Sequence, residues 1–340
     1  MTTRKADKQC AYYIDHLYNS LIHSSIENYV QYRIKQNFKP EEEIDIVDML
    51  AYFSKTRLIV AKIMNTVSDK LNANYFCKKE DVEDFGVERG VNDYAVTPLY
   101  GKYEEAFIRW KGEATNKDKL FDYYEKEIWW EGYKLSHICY IWNEGTNRDD
   151  IFNLRKVEHT TPAGDNLESA KEDAIKHISN FSKNLCKEKE EFEVNLLKIV
   201  WILSQLTLFK RGSASITEMI CTSIVSIVER KYSKTSASFN TFKGIDLLAI
   251  LNDMDEFIAK YKKIPVSQSN VRSTQPSSLT NMYNIYKTIL TLSKAELLCK
   301  LSANYMSNSP ASIFSKDYKP VESSFVCTVN DITNSLADIL

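Results

Sequence analysis

Apolar residues recur at intervals of three and four along most of this chain, and that spacing is typical of amphipathic helices. One such stripe lies between residues 8 and 36 and contains Tyr12, Leu17, Leu21 and Ile26. Glycine (9) and proline (7) are scarce among the 340 residues, which disfavours sandwiches and barrels because those folds need many tight turns. The sequence therefore predicts an all-α protein, a multi-helix bundle of about 8–10 helices.

The helix boundaries follow from the apolar periodicity and from residues typical of helix ends. We expect helices over residues 8–36, 40–71, 117–143, 166–185, 189–209, 215–232, 243–262, 277–306 and 329–340. The helix expected over 117–143 is unusually aromatic, with Trp129, Trp130 and Trp142. Aromatic side chains at helical spacing are more typical of a core than of a ligand platform.

The clearest connection in the chain is the polar stretch "GTNRDDIFNLRKVEHTTPAGDN". It predicts an N-terminal helical lobe over 1–145, a connecting loop over 146–165 and a C-terminal helical lobe over 166–340. The two lobes could also pack as one domain.

Composition limits the classes of partner. A net charge of −2 gives no bulk attraction to nucleic acid or to anionic membranes, and no apolar run is long enough to span a bilayer. The first residues, "MTTRKADKQCAYYIDHL", contain no apolar stretch of the signal-peptide kind. Seven scattered cysteines without a Cys-x-x-Cys pair favour free thiols over disulfides or zinc. These features predict a soluble protein of the cytoplasm or another reducing, intracellular compartment.

The stretch Leu208 to Met219, "LFKRGSASITEM", interrupts a long apolar helix and starts another helix at once. Gly212 fits the left-handed position that ends a helix, and Ser215 with Glu218 three residues later fits a capping box. In this interpretation the stretch is only a corner between two helices.

The same corner also has the composition of an anion site. A glycine, serines and the free N–H groups of a new helix make a concave, positively polarised surface. Lys210 and Arg211 would add charge-assisted bonds to a phosphate or carboxylate. The candidate ligand-binding residues are Lys210, Arg211, Gly212, Ser213 and Ser215.

Two acidic clusters resemble the paired metal-binding motifs of class I terpene synthases, which are all-α enzymes of similar length. The first is "NRDDIFN", with Asp149 and Asp150, and the second is "LNDMDEF", with Asn252 and Asp253. The resemblance implies that these four residues carry Mg²⁺, and that Arg211, between the motifs, helps to bind a diphosphate leaving group.

The chain also departs from that family's pattern. Glu256 and Lys260 stand where the second motif has serine or threonine and glutamate, and the first motif comes late in the chain. Solvated faces and helix caps are the alternative interpretation of both clusters.

The histidines offer a further candidate metal site. His16, Ser20, His23 and Glu27 fall on one stripe of a helix, but a spacing of seven residues puts the two imidazoles roughly 10 Å apart along the axis. We therefore expect His16 and His23 to face solvent or a groove without sharing a metal. His137 lies among aromatic residues, and a satisfied, partly buried histidine is expected there.

Two functions remain open at this point. The first is an enzyme acting on a phosphate-bearing small molecule, a Mg²⁺-dependent transferase or lyase of the terpene-synthase type, with its site at 210–215. The second is a non-catalytic helical module that binds a protein partner or regulates one, in which every feature above is structural.

Overall fold

Helices make up most of the residues that can be described. The computed structural model describes residues 3–35, 44–70, 79–89, 121–143, 154–160, 165–184, 189–232 and 245–263, with positions 291, 293–295, 297, 298 and 300. The predicted all-α, multi-helix fold class is confirmed, with one small sheet added to the helices. The predicted helix over 329–340 and most of that over 277–306 lie outside the described residues.

The described elements comprise seven α-helices, a short 3-10 helix and three strands. In chain order they are α1 (Thr3–Lys35), α2 (Ile46–Lys70), the 3-10 helix η1 (Lys79–Asp84), β1 (Phe121–Trp130), β2 (Tyr133–Asn143), β3 (Leu154–Thr160), α3 (Asp165–Asn184), α4 (Lys189–Leu206), α5 (Ser213–Tyr232), α6 (Ile245–Leu251) and α7 (Met254–Tyr261). Within these ranges no helix combines the length and the apolar character needed to cross a membrane.

The chain forms two compact units. The first contains α1, α2 from Val47 onward and η1, and the second contains the sheet with α3 to α7. The predicted connecting loop over 146–165 contains strand β3, and the residues on both sides of it, from Glu88 to Val271, belong to the second unit. The division into lobes at 1–145 and 166–340 therefore stays a prediction.

The core of the first unit forms between α1 and α2. The ring centroids of Tyr29 and Tyr52 lie 4.9 Å apart, and Phe53 packs on both rings at 5.3 and 5.0 Å. Tyr29 Oη donates to Asp48 Oδ2 at 2.8 Å, and Arg33 contacts the same carboxylate oxygen at 3.5 Å. Burial raises the pKa of Tyr52 to about 12, because water no longer solvates its phenolate.

Helix α4 is the centre of the second unit. Its residues from Leu196 to Leu206 are buried with few exceptions, as the long apolar run in the sequence predicts. Gln205 links α4 to two neighbours: its Nε2 donates to the Ala249 and Ile250 carbonyls at 2.9 and 3.1 Å, and its Oε1 accepts from Ser136 Oγ at 2.7 Å. Buried polar groups are thus paired across α4, α6 and β2.

The aromatic helix predicted over 117–143 is wrong. The described part of this range, from 121 to 143, forms β1 and β2, which pair antiparallel from Phe121 opposite Asn143 to Trp130 opposite Tyr133, and β3 pairs antiparallel with β2. The connecting turn places Glu131 at φ 48° and Gly132 at φ 84°, the two left-handed positions of a tight hairpin turn. Aromatic residues favour strands, and this turn chemistry outweighs the helical spacing.

One predicted helix is interrupted at a place where a polar side chain binds a backbone carbonyl. The helix predicted over 243–262 is two helices, because the chain breaks at Asn252 and Asp253. The Asn252 side chain donates to the Leu248 carbonyl at 2.7 Å, and Asp253 adopts an extended conformation before the first turn of α7. The apolar spacing in the sequence continues through both helices, but the backbone leaves the helical conformation between them.

Candidate functional site

The predicted break between two helices is confirmed, and a distant arginine holds its first half. Helix α4 ends at Leu206, and Thr207 takes the left-handed conformation at φ 40°. Arg89, 1% exposed, donates from Nη2 to the Leu206 carbonyl at 2.8 Å and from Nε to the Thr207 carbonyl at 3.0 Å. Its backbone N–H donates to the Leu208 carbonyl at 2.8 Å. The guanidinium therefore caps the negative end of α4.

A buried lysine supports this capping arrangement. Lys171 of α3 is 5% exposed, and its Nζ donates to the Arg89 carbonyl at 3.1 Å and contacts Glu88 Oε1 at 3.3 Å. Glu88 also forms an isolated antiparallel bridge with Phe209. Residues 88 and 89 thus lie beside the break like a short strand, and they satisfy carbonyl groups that the end of α4 leaves without helical partners.

The second half of the break differs from the predicted register. Gly212 has the predicted positive φ, at 87°, but α5 already begins at Ser213, so Ser215 lies inside the first turn and is not its N-cap. Ser215 Oγ donates to the Gly212 carbonyl at 3.1 Å. Ser213 Oγ bonds the backbone of Phe209 at 3.1 Å. The predicted capping box at Ser215 is therefore wrong, because the residue that precedes the helix is Gly212, three positions earlier.

The five candidate anion ligands lie together at this break. Lys210 is exposed, while Arg211, Gly212, Ser213 and Ser215 are half-buried. The hydroxyls of both serines are engaged by backbone groups of the break itself. The arrangement therefore offers an anion two cations beside the positive end of α5.

The predicted metal ligands of the second acidic cluster face lysines. Asn252 Oδ1 accepts from Lys260 Nζ at 3.0 Å, and Asp253 Oδ2 accepts from Lys126 Nζ at 3.0 Å. Glu256 contacts both lysines; burial acts to raise its pKa, but these bonds outweigh burial and hold the pKa below its ordinary value. In the described part of the chain no three His, Cys, Asp or Glu side chains group as metal ligands would. The other predicted pair, Asp149 and Asp150, lies outside the described residues.

The predicted exposure of His16 and His23 and the predicted partial burial of His137 are confirmed. His16 and His23 are exposed on α1, and His16 Nδ1 lies 3.3 Å from Ser20 Oγ. His137 of β2 is half-buried, and its Nε2 lies 2.7 Å from Glu125 Oε1 on β1. The pair joins neighbouring strands, so His137 has a structural partner as expected.

The sequence did not indicate the most exposed aromatic residue that the structure describes. Trp129 is 58% exposed, and it follows a β-bulge between Ile128 and Trp129, just before the turn at Glu131 and Gly132. Its Nε1 donates to Glu127 Oε2 at 3.2 Å, which fixes the orientation of the indole. The turn itself could have been found from "WWEGY", an acidic residue and a glycine between aromatic runs.

The opposite side of the hairpin tip packs on α3. The Trp130 ring meets the His177 ring edge-on with centroids 4.9 Å apart. Tyr133 Oη donates to Asp173 Oδ2 at 2.7 Å. That bond raises the pKa of the Tyr133 phenol and, with a bond from Lys176, lowers the pKa of Asp173. The tip is therefore anchored, although it lies at the end of a hairpin.

The side of β1 and β2 that does not pack on α3 faces solvent. We call it the outer face; it consists of Glu125, Glu127, Trp129, Lys134 and His137. Glu127 accepts from Lys134 and from Trp129, and these bonds lower its pKa in that order of importance. Glu127 thus stays ionised and holds both a cation and the indole in place.

Comparison with known proteins adds no relative to this description. No protein-family model matches the chain and no curated protein matches it, so its function has to be inferred from the geometry of its own residues.

Proposed function

We propose that this protein is a non-catalytic interaction module that binds another protein through the outer face of the β1–β2 hairpin. The observation that carries the proposal is the 58% exposure of Trp129, whose indole N–H donates to Glu127 Oε2 at 3.2 Å. Among described residues the next most exposed large apolar side chains, Val87 and Leu298, reach only 38% and 37%. Tryptophan is the residue most enriched among side chains that dominate binding energy at protein interfaces.

The rigidity of the hairpin supports this function. Trp129 is oriented by Glu127, and the tip is anchored through Trp130 on His177 and Tyr133 on Asp173. Little side-chain freedom remains to be lost when a partner covers the indole, so more of the contact energy appears as affinity. A surface tryptophan without a binding role would not require these contacts at the hairpin tip.

The polar clusters elsewhere in the second unit also favour this function over chemistry. Arg89 and Lys171 bond carbonyls of the chain itself, and Lys126 and Lys260 bond the acidic side chains near Asn252. These groups already stabilise the fold through internal pairs. A site for chemistry would instead aim such groups at a substrate.

Site-specific photo-cross-linking tests the proposal. We expect p-benzoylphenylalanine in place of Trp129 to cross-link one identifiable protein, and the same amino acid in place of Asp255, exposed on α7, to give no such product. The purified partner should then bind Trp129→Ala at least about tenfold more weakly than wild type, with an unchanged melting temperature. Equal cross-linking from both positions, or equal affinity of the variant, would contradict the proposal.

A phosphate or diphosphate ligand at the α4–α5 break is the second candidate. One observation favours it: α5 begins at Ser213 directly after Lys210, Arg211 and Gly212, so the N–H groups of its first turn follow two cations. Helix starts of this kind bind anions through those N–H groups. The Mg²⁺-dependent transferase or lyase proposed from the sequence depends on this site.

The phosphate candidate has its own test. Inorganic phosphate or diphosphate at about 100 times its dissociation constant should stabilise the protein by roughly 2.7 kcal/mol in a thermal-shift assay. Arg211→Ala should weaken binding by roughly 1.5–3 kcal/mol because it removes a charge-assisted bond. Arg230→Ala, which removes an exposed arginine near the other end of α5, should leave the shift unchanged. If phosphate compounds shift wild type and Arg211→Ala equally, the break is not their site.

A further inference from the structure

The charges around Trp129 are predominantly negative. The outer face contains two carboxylates, Glu125 and Glu127, and Glu131 in the adjoining turn adds a third, whereas Lys134 is the one ammonium group among these residues. These three carboxylates and one ammonium group together carry a net charge of −2. An aromatic face surrounded by carboxylates attracts cations both through the ring quadrupole and through the net charge.

We infer that the occupant of the outer face is a basic segment of a protein partner, in which an arginine or lysine side chain stacks on the indole of Trp129. This inference rests on the proposed function and names the chemistry of its partner. Glu131 then pairs with a neighbouring cation of the same segment.

The geometry favours a cation over an apolar partner. Between positions 125 and 138, the part of the hairpin whose side chains the structure describes, Trp129 is the one exposed large apolar residue, since Ile128 and Leu135 are buried and Trp130 packs on α3. A single indole gives too small an apolar patch for a hydrophobic interface, which normally has a cluster of such residues at its centre. A single indole among carboxylates is sufficient for a cation.

The geometry also fixes where the indole is. Glu127 accepts the indole N–H through one oxygen and contacts Lys134 through the other, so the ring is tied to the strand at its edge. A bond at the ring edge leaves the ring face as the surface for a ligand. The flat guanidinium of arginine matches such a face better than the compact ammonium of lysine.

Nuclear magnetic resonance of the indole N–H groups tests the inference. The full chain has five tryptophans, and Trp129→Phe identifies the Trp129 signal by its loss. Titration with an N-acetylated decapeptide alternating glycine and arginine should move the Trp129 signal with saturation and leave the other signals in place. The lysine version should bind more weakly, and a matched glutamate peptide should move nothing.

The variants separate stacking from simple apolar contact. Trp129→Leu keeps an apolar side chain without a π-system and should weaken arginine-peptide binding by about tenfold, whereas Trp129→Tyr should retain part of it. Glu131→Gln should weaken binding at low salt and have little effect at high salt, because screening removes the contribution of net charge. Unchanged melting temperatures confirm that each variant is folded.

Two results would overturn the inference. One is binding of the glutamate peptide at least as tightly as the arginine peptide, and the other is undiminished binding by Trp129→Leu. If either occurs while cross-linking from position 129 still identifies a protein, the interaction function stands and the basic partner is wrong. If cross-linking fails as well, both are wrong.

Discussion

Replacing Gly86 with alanine should destabilise the first unit by about 3 kcal/mol or more. Gly86 has φ +72°, and an added Cβ would lie 2.0 Å from the Ser54 carbonyl oxygen and 2.8 Å from its carbon. Both atoms belong to the backbone of α2, so no side-chain rotation relieves the clash. Either the segment after η1 separates from α2 or the helix deforms.

The contacts around Gly86 explain why the segment cannot simply move away. Val82 and Phe85 are buried against Ala61 of α2 in one apolar cluster. The Arg57 guanidinium also lies 4.2 Å from the centre of the Phe85 ring, a cation–π distance. Relief of the clash would therefore cost these contacts, and the destabilisation should exceed the strain of a left-handed alanine alone.

Gly132→Ala is the matched control for this prediction. Gly132 also has a positive φ, +84°, but an added Cβ would meet nothing within 4 Å. Only the left-handed conformation is then penalised, at roughly 1 kcal/mol. Hydrogen exchange during urea unfolding, at α2 amides for Gly86→Ala and at hairpin amides for Gly132→Ala, measures each effect where it arises. Equal losses in the two variants would show that close approach to Ser54 does not matter.

The helical elements could be predicted because their signals are local. An apolar stripe reports which face of a helix is buried, and α3 (Asp165–Asn184) lies within one residue of its predicted bounds at both ends. The prediction was wrong over 117–143 because aromatic residues fit a helical spacing and a strand equally well. There the deciding signal was the turn at Glu131 and Gly132, because a tight hairpin turn of this kind needs a positive φ at both of its central residues.

The candidate site was less predictable because it depends on tertiary contacts. The break at 207–212 was visible from its cations and glycine, but the residue that caps α4 is Arg89, 117 positions before the Leu206 carbonyl that it binds. No local pattern reports a contact between residues so far apart in the chain. The exposure of Trp129 is equally non-local, since Trp130 beside it packs on α3. Sequence pattern alone cannot distinguish these two neighbouring tryptophans.

Arg89→Met should destabilise the second unit by about 2–4 kcal/mol, although methionine occupies a similar space along the side-chain stem. The Leu206 and Thr207 carbonyls would lose their guanidinium donors, at 2.8 and 3.0 Å, in a place where Arg89 itself is 1% exposed. Unpaired carbonyls at the buried, negative end of α4 are costly because neither water nor the helix satisfies them.

Arg89→Lys and Arg230→Met separate this effect from the loss of a charge or of any arginine. Lysine keeps the charge but not the planar fork that reaches two carbonyls, so we expect it to recover about half of the lost stability. Arg230 is exposed on α5, and its replacement should change the free energy of unfolding by less than about 0.5 kcal/mol. Urea unfolding followed at α4 amides measures all three variants, and a loss for Arg89→Met no larger than that for Arg230→Met would refute the capping role.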